Sequence, residues 1–160
     1  MKKNIVILLA LILSLLSFGA ANAQAGESIW LDTDTTAYKT EEIVTIRVNA
    51  ASTTPIQGFT FQIRYDPACL KPISASSPIS GMNGLQLPQS SGLVDASFAS
   101  TTPQSALGVI AEASFMTLGG CNTELYLENA ALAIRNAEGF AAQLPGITIG
   151  NSNISLVVDS

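Results

Sequence analysis

An all-β, two-sheet sandwich is the fold class that this 160-residue chain predicts. Apolar and polar residues alternate with period two along most of its length, turn residues punctuate the alternating runs, and no stretch carries a sustained helical stripe. Strands that bury one face and wet the other pack as antiparallel sheets rather than as a parallel sheet covered by helices. The length fits one domain.

The first element is not a strand. Lys2 and Lys3 form a basic start, Ile5 to Phe18 is an uncharged apolar run, and Ala21-Asn22-Ala23 is a small-x-small cleavage site. Residues 1–23 therefore read as a secretory signal peptide, with Ala23-Gln24-Ala25 as an alternative cleavage point. The competing reading, a membrane-spanning helix, needs about 20 apolar residues and no cleavage site. Removing the leader takes Lys2 and Lys3 with it, shifts the net charge from −5 to −7, and leaves residues 24–160 as a single domain with no second hydrophobic span. The expected location is extracellular or at the cell surface.

Ser28 to Asp34 opens the domain. In Glu42 to Asn49, Val44, Ile46 and Val48 alternate with Thr45, Arg47 and Asn49, and in Gln57 to Tyr65, Phe59, Phe61, Ile63 and Tyr65 alternate with Gly58, Thr60, Gln62 and Arg64. Leu70 to Ala75 follows, then Ser74 to Ser91, rich in Ser, Pro and Gly, as a long connection at one end of the sandwich. Gly92 to Ser100 and Gly108 to Leu118 flank a second connection, Thr101 to Ser105. Thr123 to Glu128, Leu132 to Arg135, and Gly146 to Ile149 with Ile154 to Val158 complete the set. The expected inward set is Val44, Ile46, Val48, Phe59, Phe61, Ile63, Val109, Phe115, Leu125 and Leu127. A slip of one residue would turn a strand's whole apolar set to water.

Two cysteines, Cys69 and Cys121, lie in the exported part, and an even count in an oxidising compartment reads as one disulfide. The alternatives are a thiolate nucleophile or a metal ligand, but neither cysteine has a histidine or a CxxC partner. Histidine is absent altogether, which removes the serine–histidine and cysteine–histidine couples and the imidazole metal ligands. Seven cations against twelve acids offer no basic patch for nucleic acid. The chain reads as non-enzymatic, with no cofactor and no metal.

Ile56-Gln57-Gly58-Phe59-Thr60-Phe61-Gln62-Ile63-Arg64-Tyr65-Asp66-Pro67, with Leu70 soon after, resembles the third strand and following turn of cohesin domains. Gly108-Val109-Ile110-Ala111-Glu112-Ala113-Ser114-Phe115 is similar to a later strand of that family, Asn136-Ala137-Glu138-Gly139 to its turn before the last strands, and Gly146-Ile147-Thr148-Ile149 to its closing strand. The resemblance covers Ser28 to Ile149. It implies a jelly-roll sandwich of about nine strands, related to cellulose-binding modules, whose role is to hold a dockerin module non-covalently while polysaccharide-degrading assemblies are built. By the family's geometry the docking sheet takes Gly58, Thr60, Gln62 and Arg64, then Leu93, Asp95, Ser97 and Ala99, then Ile110, Glu112 and Ser114. The sequence departs from type I cohesins at Gly58 and Thr60, where those carry asparagine and aspartate.

The expected partner-binding set is thus Thr60, Gln62, Arg64, Asp95, Ser97, Ile110 and Glu112, with Ile110 as apolar anchor and Arg64 as a planar donor. Such a face is flat, mixed and without exposed aromatic rings, which suits a dockerin-like protein better than a sugar. Direct binding of polysaccharide, with Trp30 stacking on a ring, is the rival, and a purely structural surface domain is a third reading. Asp32 and Asp34 with Glu41 and Glu42 could gather oxygens for calcium. A glycosidase would need two carboxyls about 5 Å apart, which a sequence does not show. Asn153-Ile154-Ser155 matches a glycosylation sequon of the kind that arises by chance.

Overall fold

The computed structural model describes residues 26–160 except 86 and 88, so the expected signal peptide, residues 1–23, lies outside the described residues. Twelve strands and no helix appear among those residues: β1 (Ser28–Asp32), β2 (Ala37–Lys39), β3 (Ile43–Ala51), β4 (Ile56–Arg64), β5 (Leu70–Ser76), β6 (Asn83–Leu85), β7 (Leu93–Gln104), β8 (Leu107–Thr117), β9 (Cys121–Arg135), β10 (Ala141–Gln143), β11 (Thr148–Ile149) and β12 (Asn153–Asp159). They form two sheets, as a jelly-roll sandwich requires. The smaller runs β11-β1-β3-β8-β5 and the larger β2-β12-β9-β4-β7-β6, with β10 beside β9.

The alternation of the sequence becomes the two faces. Val44, Ile46 and Val48 of β3 and Phe59, Phe61 and Ile63 of β4 point into the core, as do Phe115, Leu125 and Leu127. Phe98 of β7 joins them, its ring 4.9 Å from Phe59 and 6.4 Å from Phe61, and Tyr65 packs 5.3 Å from Phe115. The larger sheet thus lays an aromatic layer over the aliphatic side chains of the smaller one.

Val109 does not join the core. Val48 pairs with Ala111 and Asn49 with Val109, so Ile110 is an extra residue opposite them, a β-bulge. Below the bulge the odd positions of β8 face inward; above it the parity switches, Ile110 is 1% exposed and Val109 is only half-buried. The Ser77 hydroxyl donates to the Ile110 carbonyl at 2.6 Å, satisfying a backbone group at the bulge.

A second bulge explains why Thr123–Glu128 and Leu132–Arg135, expected as two strands, are one. Thr60 pairs with Ala131 and Gln62 with Glu128, so Asn129 and Ala130 together stand opposite Phe61, one residue more than β4 supplies. Asn129 takes a left-handed conformation, φ 47°, which asparagine tolerates better than most residues. Inward parity passes from Leu127 to Leu132 across it.

Three short strands, β2, β6 and β10, add to the expected set, and two pairings are parallel rather than antiparallel: β1 with β11 and β12 with β2. Both lie at one margin, where the chain passes from the smaller sheet to the larger between β1 and β2 and again between β11 and β12. At the opposite margin β6 falls within the Ser74–Ser91 connection and extends the larger sheet beside β7.

Cys69, in the turn before β5, is bonded to Cys121, the first residue of β9, with Cα atoms 6.2 Å apart, inside the range that disulfides accept. β5 belongs to the smaller sheet and β9 to the larger. The bridge therefore staples the two sheets together at one end.

Candidate functional site

The outer face of the larger sheet carries most of the expected residues. Cross-strand pairing sets Thr60 beside Ser97, Gln62 between Asp95 and Glu128, and Arg64 between Leu93 and Tyr126. Their side chains are linked across three strands. Asn129 Nδ2 donates to Gln62 Oε1 at 2.6 Å, and Gln62 Nε2 donates to Asp95 Oδ2 at 3.3 Å. Arg64 donates through Nε and Nη2 to the two oxygens of Glu128 at 2.8 and 3.0 Å. Beyond β7, the Gln89 amide holds the main chain of Asp95, donating to its carbonyl at 2.9 Å and accepting its N–H at 3.1 Å. Side chains tied in this way lose less freedom when a partner arrives than free ones do.

Two of the expected residues are elsewhere. Ile110 and Glu112 belong to β8, in the smaller sheet, so they do not share a surface with Thr60, Gln62, Arg64, Asp95 and Ser97. Ile110 is buried by its bulge and cannot anchor a partner from the surface. Glu112 lies across from Arg47 of β3 and Ser76 of β5 on the opposite outer face. The strand next to β4 is β9, and it supplies Glu124, Tyr126 and Glu128, which are missing from the expected set. Their outward parity is legible from Thr123, Leu125 and Leu127; the pairing of β9 with β4 is not, because alternation says nothing about sheet order. The face therefore has an exposed aromatic ring after all, Tyr126.

The carboxylates of β9 are held in ionised form. Tyr126 O–H donates to Glu124 Oε2 and Ser155 Oγ–H to Oε1 at 3.1 Å. These bonds, Tyr126 first, pull the Glu124 pKa below the usual value and push that of Tyr126 above its own. The Arg64 guanidinium does the same to Glu128, lowering its pKa. A glycosidase acid needs a carboxyl whose pKa is raised, and on these two groups the environment acts in the opposite sense.

Asp32, Asp34 and Glu42 are engaged within the fold. Asp32 and Asp34 flank Arg47, whose Nε lies 2.7 Å from Asp32 and whose Nη1 lies 2.9 Å from Asp34, and Glu42 accepts the Lys39 N–H at 2.9 Å. Trp30 faces outward from β1 in the smaller sheet, half-buried, with Gly150 against its Cβ. Gly58 is not an open surface position: a Cβ there would stand 2.6 Å from the Phe98 carbonyl oxygen. Backbone crowding, beside the register shift between Ile56 and Gly58, excludes the asparagine of type I cohesins.

No family model matches the sequence, and no curated protein matches it. Solved structures do. A cohesin module from a Clostridium perfringens family 33 glycoside hydrolase superposes with a TM-score of 0.67 at 9% identity, covering 85% of this chain and 98% of that one. A type II cohesin domain from the Acetivibrio cellulolyticus cellulosome gives 0.64 at 19% identity, covering 81% and 94%. The cohesin of a type II cohesin–X–dockerin complex from the same organism gives 0.59 at 17%, covering 83% and 99%. The two-sheet architecture expected from the sequence is the one these structures share, and the chain carries the cohesin fold.

Proposed function

We propose that this domain is an exported, non-enzymatic docking module that holds a dockerin-like protein on the outer face of its larger sheet, in an extracellular or surface assembly linked to polysaccharide degradation. The observation that carries the proposal is the pre-tied polar surface spanning β9, β4 and β7, on a fold whose solved examples include a complex with dockerin. The working surface is Thr60, Gln62, Arg64, Asp95 and Ser97 with Glu124, Tyr126 and Glu128 added. Flat mixed surfaces dock proteins through a few anchors surrounded by polar contacts, whereas one exposed tyrosine makes no platform for a polysaccharide chain. Export is supported by the leader pattern of residues 1–23 and by the disulfide, which fits an oxidising compartment. No helix among the described residues is long and apolar enough to cross a membrane.

The test is capture of purified dockerin modules by the immobilised domain. Thr60→Arg with Asp95→Arg should abolish capture while leaving the melting temperature close to that of the parent, and Thr45→Arg on the other sheet should leave capture intact. Capture that survives the double substitution moves the site. Tight binding to insoluble cellulose or chitin, with no dockerin captured, would hand the function to the carbohydrate-binding reading.

A further inference from the structure

Where β4 stops, β9 runs on. Their pairing ends at Arg64 and Tyr126, while β9 continues back to Cys121 with β12 on its other side, Val157 beside Asn122 and Ser155 beside Glu124. The Tyr65-Asp66 turn leads the chain away toward β5 of the opposite sheet. The larger sheet therefore has a step in its outer face, a notch of about 660 Å³ lined by Arg64, Asp66, Asn122, Glu124, Tyr126 and Val157.

Three properties of the notch point to one guest. It offers apolar surface, since Tyr126 and Val157 are 40% and 49% exposed. It offers fixed acceptors: both oxygens of the exposed Glu124 are held by hydroxyl donors, Tyr126 and Ser155, and each keeps further lone-pair capacity, while Asp66 Oδ1 is held by the Ala68 N–H at 2.8 Å. Its lining cation does not neutralise them, because Arg64 is turned onto Glu128 by two hydrogen bonds. An apolar wall ending in unneutralised carboxylates matches a side chain with a long aliphatic stem and a cationic head. Arginine fits better than lysine: its guanidinium forks onto carboxylates and stacks on an aromatic ring, and it sheds water more readily.

We propose, resting on the reading that this face docks a protein, that the notch between β4, β9 and β12 receives an arginine side chain projected by that partner. The domain's net charge of −7 without its leader favours the approach of a basic partner.

The experiment needs no protein partner. The isotope-labelled domain is titrated with Nα-acetyl-arginine amide and, in parallel, with the uncharged isostere Nα-acetyl-citrulline amide, following backbone amide resonances. Arginine amide should move the resonances of residues 122–126 and 155–157, and citrulline amide should not. Glu124→Gln keeps the shape of the side chain and should weaken arginine binding about tenfold or more, the usual scale for a hydrogen bond to a charged group, whereas Glu112→Gln on the opposite face should leave it unchanged. Equal shifts with citrulline, shifts scattered over both sheets, or no response to arginine would each overturn the proposal. So would cellobiose moving the same resonances, which would make the notch a sugar site. Dockerin capture that persists without arginine binding would sink the notch alone, and arginine binding without any dockerin capture would sink the docking reading alone.

Discussion

The bulge at Ile110 supports a prediction that separates two neighbouring residues of similar chemistry. Simple alternation from Phe115 puts Val109 inside and Ile110 outside; the pairing of Val48 with Ala111 and Asn49 with Val109 reverses them. Ile110→Ala removes three buried carbons, worth about 2.4 kcal/mol at about 0.8 kcal/mol per buried methylene, before the cavity is counted. Buried isoleucine truncations run to about 2 to 5 kcal/mol in total, and Ile110, at 1% exposure, belongs in that class. Val109→Ala removes two carbons that already touch solvent, so its cost should stay under about 1 kcal/mol. Urea unfolding resolves the two, with Trp30, the single tryptophan, as fluorescence reporter. With a slope of about 1 to 3 kcal/mol per molar, Ile110→Ala should lower the midpoint by roughly 1 M or more, and Val109→Ala by a small fraction of that. A larger loss for Val109→Ala than for Ile110→Ala would mean that the bulge is misplaced and that Ile110 returns to the surface.

Reducing the Cys69–Cys121 bond, or replacing both cysteines by serine, reopens a 52-residue separation. The chain-entropy account puts the loss at about 4 kcal/mol, and equal unfolding midpoints for oxidised and reduced protein would contradict the staple. Gly58→Ala places a methyl group where only 2.6 Å separates it from the Phe98 carbonyl oxygen; overpacking of this kind costs about 1 to 3 kcal/mol, and an unchanged melting temperature would show that the strands do not approach so closely. Glu27, Glu124 and Glu128 all titrate below the ordinary value of 4.5, owing first to hydrogen bonds from Thr53, Tyr126 and Arg64 respectively. A depressed folded pKa gives stability that is present above the ordinary value and lost as pH falls through the lower one. The unfolding midpoint should therefore lose these contributions only below the ordinary glutamate range, and a loss through them that begins near neutral pH would contradict the assignment.

What is legible in the sequence follows the range of the interaction. Alternation in β3 and β4 is a local property, and it places Val44, Ile46, Val48, Phe59, Phe61 and Ile63 inside, where the structure has them. The cysteine pair is legible because two thiols in a chain read as exported have one simple arrangement. Bulges are not, since Ile110 and Asn129 are surplus only relative to a partner strand, and the partner is a long-range fact. The same limit assigns the candidate site a wrong third strand: β8 and β9 both show clean alternation, and only the assembled sheet reveals that β9 lies beside β4. Gly58 reads in sequence as a departure on a wet face, whereas the carbonyl of Phe98 makes it a requirement of packing.

Hydrogen–deuterium exchange of the domain with and without a purified dockerin module is the most direct measurement of where a partner sits. Docking on the larger sheet predicts added protection along β4, β7 and β9, with Gln62, Asp95 and the Asn122–Glu128 segment at its centre, and unchanged exchange in β1, β3 and β8. Protection confined to the smaller sheet, or absent from both while dockerin is bound, would contradict the account.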